Sequence, residues 1–287
     1  MVTTQITVAI PTRGDRPNIA ETIQGVLASA QARPFELLVV WSGQESPPPW
    51  SNDLPGEPRH VSALPLGLSV ARNAALESAS NDILLMPDDD VVCTIGWFDA
   101  MVSALLGGAD IVGGPVICRW PNRRPVWLTL EMEKVFGSLD LGPASKDLVL
   151  GQSLVGGNMA MWRQSILALG GYDDTLGATG RGGGMGEEND LCDRALRLGL
   201  RVRYVADARV EHVMEAGVAT RRNYARRMYR FGRSMAIVRS QEGPRAWRKL
   251  ASATARIARA PFVVDSMQQL GSACFEIGSA RTPSGLH

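Results

Sequence analysis

An α/β fold, with a doubly wound and mostly parallel sheet flanked by helices, is predicted by three features of the chain. Short apolar, β-rich runs alternate with segments of helical spacing over the first 118 residues. Two of the runs, at residues 6–10 and 36–41, are almost continuously apolar, as strands buried on both faces of a parallel sheet are. A hydrophobic content of 45% over 287 residues is ample for such a core.

The elements follow in order. Residues 6–10 (ITVAI) form a strand stopped by Pro11, and residues 18–30 place Ile19, Ile23, Val26 and Leu27 at helical spacing. Residues 36–41 are the second strand, the proline-rich stretch 46–58 a loop, 59–64 a short strand, and 68–79 a helix carrying Arg72 and Asn73. A fourth strand at 82–86, a helix at 97–106 and a fifth strand at 109–118 complete the alternation. Residues 119–150 lose the pattern and read as an irregular excursion over the site, followed by a glycine-rich apolar stretch at 151–162 and a short helix at 165–169. Six glycines make 176–186 a flexible loop. A helix at 191–198 and a strand at 202–205 come next, and beyond Glu215 the chain becomes helical, with Arg222, Arg226, Arg230 and Arg233 spaced to share one face. The boundaries expected are a domain at 1–215, with a donor half at about 1–118 and an acceptor half at about 119–215, and a helical basic C-terminal extension at 216–287.

Charge follows the same division. From Ala219 onward there are 13 basic and 3 acidic residues, against 17 and 26 before it. A basic tail of this kind either packs its arginine stems on the acidic body or lies on an anionic membrane surface. Nucleic acid is not the expected partner, because Tyr224, Tyr229 and Phe231 read as core-facing stripes. The four cysteines form no CxxC pair and point to a reducing cytoplasm rather than to zinc or a disulfide framework. The N-terminal residues lack the pattern of a signal peptide, and no stretch reaches the roughly 18 apolar residues of a membrane span. Any membrane contact is therefore expected to be peripheral.

In a doubly wound sheet, ligands bind beyond the carboxyl ends of the strands. The stretch NDILLMPDDDVV puts Asp88, Asp89 and Asp90 at such an end. Side chains at i and i+2 of an extended segment share one face roughly 6 to 7 Å apart, so Asp88 and Asp90 can converge on one ligand. Two carboxylates at that distance repel by roughly 3 kcal/mol at an effective dielectric of about 20. A hard divalent cation reverses the sign, and oxygen ligands suit Mg²⁺ or Mn²⁺. The alternative is an acidic surface turn, with Thr94 or Asp90 capping the next helix. No GxGxxG follows the first strand and no GxxxxGK occurs, which removes the dinucleotide oxidoreductase and P-loop readings. A second acidic cluster, Glu187, Glu188 and Asp190, opens the helix after the glycine loop. Either it complements the helix dipole, or one carboxylate serves as general base toward an acceptor hydroxyl. His212 is one of three histidines and, on spacing alone, is either structural or a ligand.

Taken together, the motifs resemble glycosyltransferase family 2 of the GT-A (Rossmann-like) fold, whose members use nucleoside diphosphate sugars. ITVAIPTRG looks like the family's first strand and donor-binding turn, and GLSVARNAAL like its Gly-x-Ser-x-Ala-Arg-Asn helix. NDILLMPDDDVV is similar to its Asp-x-Asp strand, LVGGNMAMWRQSILALGGYDD to its acceptor-side segment, and GEENDLCDRALRLG to its Glu-Asp-x-Asp-Leu helix. The resemblance implies a donor pocket lined by Pro11, Thr12, Arg13, Arg72, Asp88 and Asp89. It further implies a metal held by Asp90 with Asp88 and His212, a catalytic base at Glu188, and an acceptor oriented by Glu187, Asp190, Gly157 and Asn158, with Gly156 beside the reacting sugar. Two positions depart from the pattern: Trp41 stands where the family carries a base-reading Asp, and Glu188 stands in place of Asp.

The activity implied is transfer, with inversion, from a nucleoside diphosphate sugar to a small-molecule, glycan or lipid-linked acceptor, with Mg²⁺ or Mn²⁺ as cofactor and the 176–186 loop ordering over the donor. The alternatives are a sugar nucleotidyltransferase and a sugar-nucleotide-binding protein without turnover.

Overall fold

The computed structural model describes residues 5–14, 18–178, 184–239 and 264–280. The centre of the glycine loop, at 179–183, and the tail at 240–263 and 281–287, with His287, lie outside the described residues.

An eight-stranded sheet is the frame. Strands β1 (Ile6–Thr12), β2 (Glu36–Ser42), β3 (Arg59–Ala63) and β4 (Ile83–Pro87) are parallel neighbours in the order β3-β2-β1-β4. Helices α1 (Ile19–Ala30), α2 (Leu68–Ser78) and α3 (Trp97–Leu106) connect or follow them. The β1 and β4 residues are buried throughout, which the continuous apolar runs require of strands covered on both faces. One core, on the face of α1 and α3, gathers Val8, Ile10, Ile23, Val39, Trp41, Leu85, Trp97 and Phe98. The other lies on the face of α2 and gathers Ala9, Leu38, Val40, Leu76, Leu84, Met86 and Tyr204. Period-two alternation along each strand feeds the two faces in turn.

The sheet continues differently from the expectation. The single strand expected at 109–118 is two, β6 (Ile111–Gly113) and β7 (Val116–Arg119). Gly114 lies between them, where a Cβ would run into the backbone of Ala208. The glycine-rich stretch ends in β9 (Asn158–Trp162), which inserts antiparallel between β4 and β6. Its sequence NMAMW has no β-branched residue, so its strand state comes from two buried neighbours rather than from propensity. Strands β10 (Val202–Tyr204) and β8 (Lys146–Asp147) close the order β4-β9-β6-β10-β8.

A second, three-stranded sheet is ordered β5-β11-β7, with β5 at Val91–Cys93 and β11 at Val210–Val213. Since β4 belongs to the first sheet and β5 to the second, Asp88, Asp89 and Asp90 occupy the crossing between them. The remaining elements are α4 (Leu130–Glu133), α5 (Arg163–Ala168), α6 (Glu187–Arg197), α7 (Arg221–Arg239) and α8 (Val264–Ala280).

The chain divides into two compact units. One holds Met1–Arg119, Gly137–Asp174 and Glu187–Val213, and carries both sheets. The other joins Trp120–Phe136 and Thr175–Gly186 to Met214–His287, so segments assigned to the acceptor half by the sequence reading group with the C-terminal helices. Within this second unit, the Arg227 guanidinium lies 5.1 Å from the Phe136 ring centroid and Trp127 meets Tyr224 edge-on. Gly232 and Gly278 let α7 and α8 approach backbone to backbone, because a Cβ at either would strike the main chain of the partner helix. Arg222, Arg226 and Arg230 are exposed along one stripe of α7, while Arg233 is half-buried. Among the described residues, no helix is long and apolar enough to cross a membrane.

Candidate active site

Three neighbouring aspartates turn to three different partners. Asp89 is buried and accepts a hydrogen bond from Thr12 Oγ1 at 2.5 Å, which ties the end of β1 to the crossing. The same Thr12 oxygen accepts from the Gly14 backbone N–H at 2.9 Å and shapes the turn after β1. Pro11 is the penultimate residue of β1, and the Arg13 carbonyl accepts from Gln44 Nε2. Asp90 is buried, with Oδ2 3.2 Å from Nε2 of His212. That approach follows from register, because β11 pairs antiparallel with β5, with His212 opposite Val91, and the Val213 N–H donates to the Asp90 carbonyl at 2.7 Å.

Asp88, the most open of the three, receives Arg72 Nη2 at 2.9 Å. The same guanidinium donates Nη1 to Glu187 Oε1 at 2.6 Å, so one buried arginine joins the aspartate crossing to the first turn of α6. Arg72 is only 1% exposed, and its neighbours are cut to fit it. A Cβ at Gly156 would lie 2.6 Å from both Nη atoms, and one at Gly157 would lie 2.7 Å from Asp88 Oδ2. Burial works against the Arg72 charge, but Asp88 and Glu187 hold its pKa above the ordinary value. It is therefore charged at every working pH.

Glu188 lies half-buried beside Glu187. Burial, the like charge of Glu187 and that of Asp88 push its carboxyl up to about 8, against the pull of Arg72. Asp190 takes both Nε and Nη2 of Arg194 at 2.7 Å in an i,i+4 pair, and Arg194 also donates to the carbonyls of Leu169 and Gly171. Asp193 accepts from the Gly151 N–H.

Asn158 is wholly interior. Its Oδ1 accepts from Trp97 Nε1 at 2.7 Å, and its Nδ2 donates to the carbonyls of Pro115 and Ala208. With both N–H bonds committed to the frame, Asn158 fixes the end of β9 beside Asp88, and the acceptor-orienting role expected of it is not available to its amide N–H groups. Arg72, expected in the donor pocket, directs its two Nη groups to the carboxylates of Glu187 and Asp88.

Asn73 and Tyr172, for which the sequence motifs implied no role, also shape the site. Asn73 Nδ2 donates to the Tyr172 carbonyl and to Asp174 Oδ1, and its Oδ1 accepts from the Tyr172 N–H. This clamp pins the segment at 172–174 to α2. The Tyr172 ring lies 5.5 Å from the Arg72 guanidinium. Their signal was present in the motifs quoted but carried no chemistry until the fold joined them.

Among the described residues, no three His, Cys, Asp or Glu side chains gather as a cage for a metal ion. The Asp90–His212 pair nevertheless suits a cation whose other positions are filled by phosphate oxygens, as divalent ions in phosphoryl sites usually are. An imidazole donor favours Mn²⁺ over Mg²⁺ there. The residues present fit such an ion.

The model of the family described as "Glycosyltransferase like family 2" matches residues 4–234. The chain belongs to this family. Its relatives include the glucosyl-dolichyl phosphate glucuronosyltransferase of Haloferax volcanii, 28% identical over 68% of this chain and 64% of that one. The pre-mycofactocin glycosyltransferase of Mycobacterium tuberculosis is 26% identical over 72% of this chain and 42% of its own length. The family 2 chain thus spans about two thirds or less of the curated relatives it matches. Two solved structures share its fold. GalNAc-T7 with UDP, GalNAc and Mn²⁺ gives a TM-score of 0.59 at 12% identity, covering 93% of this chain and 53% of that one. The mannosyltransferase PcManGT from Pyrobaculum calidifontis, in complex with GDP-Man and Mn²⁺, gives 0.55 at 18% identity, covering 93% and 73%. Both are GT-A glycosyltransferases, and the expected fold class stands.

In this family 2 member, Trp41 is fully buried and donates Nε1 to His60 Nδ1 at 3.1 Å, with Trp50 edge-on at 5.4 Å. This position, next to last in β2, is therefore apolar framework with no carboxylate.

Proposed function

We propose that the protein transfers a sugar from a nucleoside diphosphate sugar to an acceptor hydroxyl, with inversion and with Mn²⁺ or Mg²⁺. The observation that carries this reading is the shared guanidinium of Arg72, which brings the aspartates after β4 and the acids opening α6 to one locus. A nucleotidyltransferase has no use for the second cluster.

Asp90 and His212 would hold the cation, which neutralises charge on the departing diphosphate when bound. Thr12, Asp89 and Asp88, at the carboxyl ends of β1 and β4, lie where a doubly wound sheet takes its nucleotide. Glu188 removes the proton of the acceptor hydroxyl as that oxygen bonds to the anomeric carbon and the carbon–phosphate oxygen bond breaks. A single displacement inverts the centre. Glu188 must be ionised to do this, so its raised proton affinity makes the rate climb with pH.

The relative named for glucosyl-dolichyl phosphate and the exposed Arg222, Arg226 and Arg230 stripe support a lipid-linked acceptor met at an anionic membrane surface on its cytoplasmic side. Incubating the full chain with UDP- and GDP-sugars, with Mn²⁺, Mg²⁺ or chelator, tests the reading. Metal-dependent release of nucleoside diphosphate from at least one donor is expected. Pyrophosphate release from a nucleoside triphosphate and a sugar phosphate would instead make it a nucleotidyltransferase.

A further inference from the structure

Burying an arginine completely is expensive, and pairing it is the usual remedy. Arg72 has two carboxylate partners from two different elements, Asp88 beyond β4 and Glu187 in α6, 16 and 115 residues away. Stability alone seldom needs such an arrangement, because well-packed apolar residues replace buried ion pairs at little cost. Lysine could not replace it either, since one ammonium lacks the planar fork that reaches two acceptors at once. Glycines at 156 and 157 leave room for the fork and for Asp88.

The fork is also unsaturated. Among the described residues, Arg72 Nε, Glu187 Oε2 and the Tyr172 hydroxyl have no hydrogen-bond partner. A purely structural knot would be expected to close these bonds. Among the described residues, the titratable groups coupled electrostatically to Glu188 include Glu187 and Cys192 on its own helix, Arg72 from α2, Asp88 from the crossing, and Tyr172 from the segment clamped by Asn73. Arg72 is the cation among them.

We propose that Arg72 is a positioning residue of the transfer reaction, acting through Asp88 on the donor side and through Glu187 on the turn that carries Glu188. It sets the distance between the donor aspartate and the base, and it offsets the like charge that Glu187 presses on Glu188. Donor binding and proton removal are thereby built on one guanidinium. This rests on the function proposed above, with Glu188 as base.

The test reads the carboxyl itself. Full-length protein labelled with ¹³C at the glutamate δ-carbons is titrated by NMR, and the Glu188 resonance is assigned by its loss in Glu188→Gln. Glu187→Gln keeps an oxygen acceptor for Nη1 while removing the like charge, and should lower the Glu188 midpoint by about one pH unit. Arg72→Gln should raise it by about one unit, and the double variant should return toward wild type. Circular dichroism identifies variants that fold; should Arg72→Gln not fold, Glu187→Gln alone still decides. A midpoint unmoved in folded Glu187→Gln, or shifts of the same sign in both single variants, overturns the proposal. If instead the midpoints move as stated while Glu188→Gln still releases nucleoside diphosphate at the wild-type rate, the functional reading fails and the positioning inference loses its reaction.

Discussion

Asp90 and His212 face each other across 3.2 Å although 122 residues separate them in the chain. The pairing of β11 with β5 produces this contact, and a hard cation would exchange it for two metal bonds. Asp90→Ala and His212→Ala should each weaken Mn²⁺-dependent UDP binding by about tenfold or more in calorimetry. His212→Ala should also lessen the preference for Mn²⁺ over Mg²⁺, because the imidazole is the softer donor. Equal UDP affinity with and without metal in the wild type would remove the cation from the account.

Asn158 carries the frame beneath the site. Replacing it with alanine strips partners from the buried Trp97 N–H and from the Pro115 and Ala208 carbonyls. Such loss should cost about 3 kcal/mol of stability. Urea melts read it directly, and a difference below about 1 kcal/mol would place Asn158 outside the frame.

Acid should weaken the β3-β2-β1 side of the sheet through Glu36, at the start of β2. Burial disfavours its charge, but the Ser80 N–H, the Thr7 hydroxyl, Arg59 and the Ser80 hydroxyl outweigh that and hold its pKa at about 2. A depressed folded-state pKa adds stability above the unfolded value of about 4.3, and this is lost as pH falls toward about 2. The contribution is at most about 2 kcal/mol once solvent screening is allowed for. Glu36→Gln should therefore lower the melting temperature at pH 6 and leave it unchanged near pH 2. A constant difference across that range would contradict the linkage.

What the sequence made legible were the elements whose local pattern agrees with their final place. The continuous apolar runs of β1, β2 and β4, and the helical spacing of α1 and α3, are such cases. The antiparallel β9 was not, because methionine and alanine give no strand signal and only its neighbours β4 and β6, remote in the chain, make one. Division of residues 109–118 between two sheets likewise depends on a backbone approach at Gly114 that no side chain announces. At the site, residue types were readable and pairings were not. Asp88, Asp89 and Asp90 looked like one cluster, but three distant partners, Arg72, Thr12 and His212, hold them apart.

Glu188→Gln puts the central claim to its most direct test, with sugar transfer and donor affinity measured on the same protein. Gln cannot accept the proton, so turnover should fall by about 10²- to 10⁴-fold while the donor Kd with Mn²⁺ stays near wild type. Wild-type turnover should rise with pH through about 8, following the Glu188 carboxyl. A Glu188→Gln enzyme turning over within a few-fold of wild type would contradict the account.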